Sequence, residues 1–116
     1  QKVHPIIAAI MPAVSYLERN FMKNDPIPVL AGFCHLSESR FYHLFQQSMN
    51  CTPVEFRNQL RAGYARQLLS GSELSLEEIG AQLGFESQEY FRRIFKRYNG
   101  LSPSQYRKSK ETDVSI

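Results

Sequence analysis

Cysteine is scarce. Cys34 and Cys51 alone, in 116 residues, are too few for a disulfide framework and point to a reducing compartment such as the cytoplasm. No apolar run approaches the roughly 20 residues of a membrane span, so no membrane contact is expected. No signal-peptide pattern is present either, since the patch from Ile6 to Ile10 is short. His4, His35 and His43 form no H-x-x-x-H pair, the cysteines form no C-x-x-C pair, and no metal site is expected. A nucleophile–base pair and a phosphate loop are also missing at recognisable spacing, which argues against an enzyme and against a cofactor. Alternating Val, Ile and Thr stretches are absent, so strands are not expected. Charge of one sign is limited: the net value is +3, which by itself identifies no partner. Aromatic residues outside the helical core pattern are few, which disfavours RNA binding by base stacking.

What remains is a chain of helix signals. Ile7, Ile10, Val14, Leu17 and Phe21 are spaced 3, 4, 3 and 4, one face of a helix that Pro5 can open and Pro12 should kink or delay. Asp25-Pro26-Ile27-Pro28 opens a short helix through Phe33. Ser37 can cap the next, with Phe41, Leu44 and Phe45 inside. Thr52-Pro53-Val54-Glu55 combines a capping box with a proline in the first turn, and that helix should stop at Ser70-Gly71. Ser75 and Glu78 form a second box, with Gly84 as the stop. Ser87 caps a helix carrying Phe91, Ile94 and Phe95, which should end at Asn99-Gly100. Ser102-Pro103 starts a last helix that should end near Lys108, leaving 109–116 as a flexible tail.

The pattern repeats. At a shift of 50, Phe41 falls on Phe91, Phe45 on Phe95, Thr52 on Ser102, Pro53 on Pro103, Phe56 on Tyr106 and Arg57 on Arg107. Upstream of the turn the shift is 49, with Ile27 on Leu76, Leu30 on Ile79, Cys34 on Leu83 and Leu36 on Phe85. The second copy therefore has one extra turn residue, around Glu86. Each copy reads as short helix, tight turn, longer helix. Two copies joined by a helix of roughly 25 Å suit a protein that touches one duplex at two places. The fold class is all-α, about seven helices in two helix-turn-helix subdomains: 5–51 and 71–108, with a linker helix at 52–70.

The second helix of such a unit needs an apolar inner side and an outer side able to reach base edges and phosphates. Outside Phe91, Ile94 and Phe95 stand Gln88, Glu89, Arg92, Arg93, Lys96 and Arg97. Arg can bind guanine through two hydrogen bonds, Gln can do so with adenine, and Lys96 and Arg97 suit phosphates. Outside Phe41, Leu44 and Phe45 stand Ser39, Arg40, Tyr42, His43, Gln46 and Gln47, a less cationic set. Half of the 14 basic residues lie in residues 85–110, against Glu86 and Glu89 only. This is a candidate polyanion footprint, the plainer alternative being a solvated helix face. The second unit should then supply more electrostatic affinity, and the first more hydrogen-bond or stacking readout. Arg57, Arg61 and Arg107 can each either pin a helix or touch phosphate. Cys34, opposite Leu83 in the repeat, reads as buried, and Cys51 as a loop residue despite its place at a helix start.

At this point the chain resembles the C-terminal domain of the AraC/XylS family of bacterial transcription regulators. The residues that carry the likeness are Leu76-Glu77-Glu78-Ile79-Gly80-Ala81-Gln82-Leu83-Gly84-Phe85, Tyr90-Phe91-Arg92-Arg93-Ile94-Phe95-Lys96 and Gly100-Leu101-Ser102-Pro103-Ser104-Gln105-Tyr106-Arg107. Gly80 departs from the family's usual alanine, Gln46 from its lysine, and His35 and Asn50 from its glycines. The resemblance implies double-stranded DNA as partner, with recognition helices at about 38–49 and 88–98 entering successive major grooves. It implies reading roles for Ser39, Tyr42 and His43 in the first and Gln88, Glu89, Arg92 and Arg93 in the second. RNA polymerase is a further expected partner. A chain starting at Gln1 is expected to be a piece of a longer protein, with an effector-sensing or dimerisation domain elsewhere, and to be largely monomeric alone. The competing reading is a helical protein-interaction module, such as an RNA polymerase contact, without base reading.

Overall fold

The computed structural model describes residues 5–114, with side chains described for residues 6–111. His4, Ser115 and Ile116 lie outside the described residues. Among the described residues the chain forms seven α-helices and no strand. They are α1 (Pro5–Asn20), α2 (Ile27–Phe33), α3 (Glu38–Met49), α4 (Pro53–Gly71), α5 (Leu76–Gln82), α6 (Gln88–Asn99) and α7 (Pro103–Val114). The chain divides into two compact units between Arg57 and Asn58, so α4 gives its first turn to one unit and the rest to the other.

The starts of the helices follow the expected caps. Ser37, Ser75 and Ser87 each accept a hydrogen bond from the backbone N–H three residues on. Thr52 with Glu55, Ser75 with Glu78, and Ser102 with Gln105 form reciprocal capping boxes, satisfying backbone donors that a helix start leaves free. Pro12 neither delays nor ends α1. Its ring and Ala8, whose carbonyl loses a partner, are both exposed, so water can replace the missing bond. The last helix is longer than expected. No glycine or proline follows Lys108, and Ser109 Oγ donates to Tyr106 O at 2.8 Å, so α7 runs on to Val114 instead of stopping near Lys108.

In the first unit α1 packs on α2 and α3. Ile10, Ala13, Val14 and Leu17 meet Leu30, Ala31, Phe41, Leu44 and Phe45 in the core. Rings run in series, Phe41 to Phe45 at 5.6 Å and Phe45 to Phe56 at 5.7 Å. In the second unit the equivalent series is Phe91 to Phe95 at 6.2 Å and Phe95 to Tyr106 at 5.6 Å, extended by Phe85 at 5.2 Å from Phe91. Ala62, Ala65, Leu69, Ile79 and Leu83 complete that core. Pro53 and Pro103 are fully buried at matching places.

The repeat holds to the residue. α2 and α5 end 49 positions apart, while α3 and α6, like the starts of α4 and α7, are 50 apart. The inserted residue falls between Phe85 and the Ser87 cap, which is Glu86. Backbone geometry repeats too. His35 (φ 56) matches Gly84 (φ 94), and Asn50 (φ 60) matches Gly100 (φ 80). These left-handed turns suit glycine. A Cβ at Gly100 would meet nothing within 4 Å, so its penalty there is purely conformational. Gly100→Ala is therefore expected to cost about 1–2 kcal/mol in urea unfolding, and Gly100→Asn, the residue the first unit uses, less than half of that. Equal costs would show that side-chain volume, not backbone hand, limits the position.

Candidate nucleic-acid interface

Both second helices present a continuous outer face. On α3, Phe41, Leu44 and Phe45 are buried, and Ser39, Arg40, Tyr42, His43, Gln46 and Gln47 are all exposed. On α6, Phe91, Ile94 and Phe95 are buried, and Glu89, Arg92, Arg93, Lys96 and Arg97 are exposed. Those five fall at i, i+3, i+4, i+7 and i+8, which is one side of a helix. Lys96 and Arg97 sit in the last turn, where the helix dipole favours cations.

Two side chains of α6 are held by neighbours. The Arg93 guanidinium lies over the Tyr90 ring, 5.2 Å from its centre. A cation–π contact of this kind, worth about 0.5–1 kcal/mol when exposed, draws Arg93 toward the N-terminal end of α6. Tyr90 is fixed in turn, because its hydroxyl accepts from Asn58 Nδ2 at 2.9 Å. Gln88 differs from its expected outward pose. It is half-buried, and its Nε2 donates to Glu77 O at 3.1 Å on α5.

The three ambiguous arginines are all engaged inside their units. Arg57 Nη1 donates to Asp25 O at 3.0 Å. Arg107, its repeat equivalent, donates from Nε to Leu69 O at 3.0 Å and from Nη2 to Ser72 O at 3.3 Å. Each reaches back to the segment that precedes its unit's first short helix. Arg61 is 3% exposed, donates from Nη1 to Gly84 O at 3.2 Å and lies over the Phe85 ring at 5.3 Å. Their geometry is that of pins. Sequence reasoning missed Arg66, an exposed residue whose Nη1 donates to Asn99 Oδ1 at 2.7 Å, as well as the Asn58–Tyr90–Arg93 chain. The Arg66–Asn99 and Asn58–Tyr90 bonds join residues 33 and 32 apart, which no local pattern announces, whereas Tyr90 and Arg93 are i, i+3 neighbours on α6.

The cysteines carry no reactive signature. Burial pushes the thiol of Cys34 up, and burial with the nearby Glu55 charge does the same for Cys51, so both favour the neutral form. Tyr16 is also raised, chiefly because its hydroxyl donates to Asp25 Oδ2 at 2.6 Å. Among the described residues no group of His, Cys, Asp and Glu is placed to hold a metal, and no helix is long and apolar enough to cross a membrane.

A family model described as a helix-turn-helix domain matches residues 30–109. The structure of an AraC-type DNA-binding domain-containing transcriptional regulator from Chromobacterium violaceum superposes with a TM-score of 0.80, at 26% identity, over 89% of this chain and 92% of that one. The chain belongs to the AraC-type helix-turn-helix family. The raffinose operon transcriptional regulatory protein of Pediococcus pentosaceus is 40% identical over 97 residues, 84% of this chain. The chain spans about a third of that relative's length (35%). The DNA-binding domain of AdpA, a global transcriptional factor solved with a target DNA, shares the fold at a TM-score of 0.84 and 24% identity, covering 91% of this chain and 96% of that one. Sequence-specific DNA binding in transcription regulation is thus the function of this AraC-type domain.

The pins and the free cations of the AraC-type domain should separate experimentally. Arg107→Ala is expected to lower stability by about 1.5–3 kcal/mol, since its bonds are charge-assisted, and to leave the salt dependence of DNA binding unchanged. Lys96→Ala should do the reverse, keeping stability within about 0.5 kcal/mol and reducing the salt slope by about one. A salt slope reduced by Arg107→Ala would make that arginine a phosphate contact.

Proposed function

We propose that α3 and α6 are the two recognition helices of this domain, entering successive major grooves of one duplex. The observation that supports this is the same in each unit: a 12-residue helix with three buried apolar residues and a polar outer face. Base edges fall to Ser39, Tyr42 and His43 on α3, and to Glu89, Arg92 and Arg93 on α6. Arg40, Gln46, Gln47, Lys96 and Arg97 lie along the flanks and take phosphates. With four of its five outer α6 residues arginine or lysine, the second unit contributes most of the electrostatic affinity. The first contributes hydrogen bonding and contact through Tyr42. The domain has no catalytic role. It acts in the cytoplasm, regulated by a sensing or dimerisation domain elsewhere in its parent chain, and its regulatory output passes to RNA polymerase.

A second reading has one observation in its favour. Val29 and Phe33 on α2 are each 40% exposed, an apolar pair suited to a protein contact. A helical interaction module that meets RNA polymerase without reading bases would use such a pair.

Selection of a randomised duplex pool by the purified domain at moderate salt separates the readings. Two short motifs about 10 base pairs apart are expected from two units on successive grooves. A single motif would leave one reading helix, and a folded sample that recovers no DNA would favour the interaction module. On the selected site Arg93→Ala is expected to cost about 1–3 kcal/mol and to relax selectivity at one base pair. Unchanged binding would remove Arg93 from the reading role.

A further inference from the structure

Gly80 is buried in α5 and faces the first turns of α6. A Cβ built there would lie 2.6 Å from Gln88 Nε2, 3.0 Å from Phe91 Cδ2 and 3.3 Å from Phe91 Cγ. The space that a methyl group would fill is occupied by the end of the Gln88 amide. That amide donates to Glu77 O at 3.1 Å, while its Oε1 is buried with no partner. Gln88 is the first residue of α6, a position from which recognition helices commonly touch bases, and its amide is the chemical match for adenine. Here that amide is spent on the neighbouring helix.

We propose that Gly80 is a specificity-determining residue that acts through Gln88: the missing Cβ opens a notch that holds the Gln88 amide against α5 and keeps it from reading a base. This deepens the DNA-reading function above and rests on it. The held state is imperfect. A buried amide oxygen without a donor is costly, so the notch, rather than a full set of hydrogen bonds, decides where Gln88 lies. A methyl group at position 80 displaces the amide before it displaces the ring. Gln88 Nε2 ends a flexible side chain, whereas Phe91 is fully buried between Phe85 at 5.2 Å and Phe95 at 6.2 Å. Once displaced, Gln88 swings to the flank it shares with Arg92, one turn further along α6. Gly80 and Gln88 thus set which groups α6 offers at its N-terminal end: Glu89, Arg92 and Arg93 with glycine at 80, and Gln88 besides with alanine.

The test compares the unaltered chain with Gly80→Ala, Gln88→Ala and the double variant, each by randomised-duplex selection and by thermal unfolding. Gln88→Ala should return the unaltered motif with no position's preference lost. Gly80→Ala should gain a preference for adenine at one base pair, of about fivefold or more, and the double variant should lose that gain. In unfolding, the two single shifts in midpoint should fail to add by about 3 °C or more, because the residues touch. Loss of preference at one base pair in Gln88→Ala alone would make Gln88 a reader and overturn the proposal. So would a folded Gly80→Ala chain that selects the unaltered motif, or midpoint shifts that simply add. An unaltered chain that returns no motif at all would overturn the DNA reading itself. Non-additive shifts with unchanged motifs would overturn only the specificity role of the notch.

Discussion

Everything on the outer faces of α3 and α6 depends on two phenylalanine rings, four residues apart, under each helix. A helix of 12 residues is marginal in water by itself, so it persists because one face is buried. Phe41 and Phe45, and Phe91 and Phe95, are all fully buried, and each pair continues into a third ring at Phe56 or Tyr106. Removing such a ring costs about 3–5 kcal/mol, a large share of a small domain's stability. The apolar face is therefore fixed first, and the polar face is whatever remains. That order explains how the two units can keep one scaffold and carry different outer residues.

Arginine supplies the second level of support. Arg57 and Arg107 close equivalent gaps by donating to backbone carbonyls ahead of α2 and α5. Arg61 holds the carbonyl of Gly84, at the turn into α6, and covers Phe85. A planar guanidinium with several donors suits this task, because turn carbonyls have no helical partner and their burial is costly without one. The cations of the second unit consequently divide into two groups with different duties. Arg61 and Arg107 are consumed by the fold, while Arg92, Lys96 and Arg97 stand exposed on α6. Net charge conceals this division, which is why a modest +3 says so little about the partner.

The sequence was legible where the physics is local. Serine and threonine caps, prolines in first turns and glycine stops placed the helices, and apolar spacing placed the rings, because each of these acts within four residues. The shift of 49 and 50 located the extra residue at Glu86 for the same reason. The end of α7 was missed because the absence of a stop signal is harder to read than its presence. Exposure on α3 was legible in full, and on α6 in all but Gln88. That side chain's position is set by a methyl group missing eight residues upstream on another helix. The duties of Arg57, Arg61 and Arg107 were equally hidden, since a guanidinium that reaches a carbonyl 23 to 38 residues away leaves no periodic trace.

His35 and Asn50 carry the remaining argument. Both adopt the left-handed backbone that the second unit assigns to Gly84 and Gly100, although a side chain makes that conformation less favourable. The geometry holds without the residue best suited to it, so the turn is imposed by what it connects. On one side α2 or α5 is held by Leu30 or Ile79 in the core, and on the other the rings of α3 or α6 are fixed. The chain between them, which holds His35 or Gly84, must reverse within four or five residues, and the chain that follows α3 or α6, which holds Asn50 or Gly100, within three. Asparagine bears this conformation at small cost, and histidine bears it less well. The first unit thus keeps the shape of the second under greater local strain, and the helix it presents depends the more on the packing of Phe41 and Phe45 beneath it.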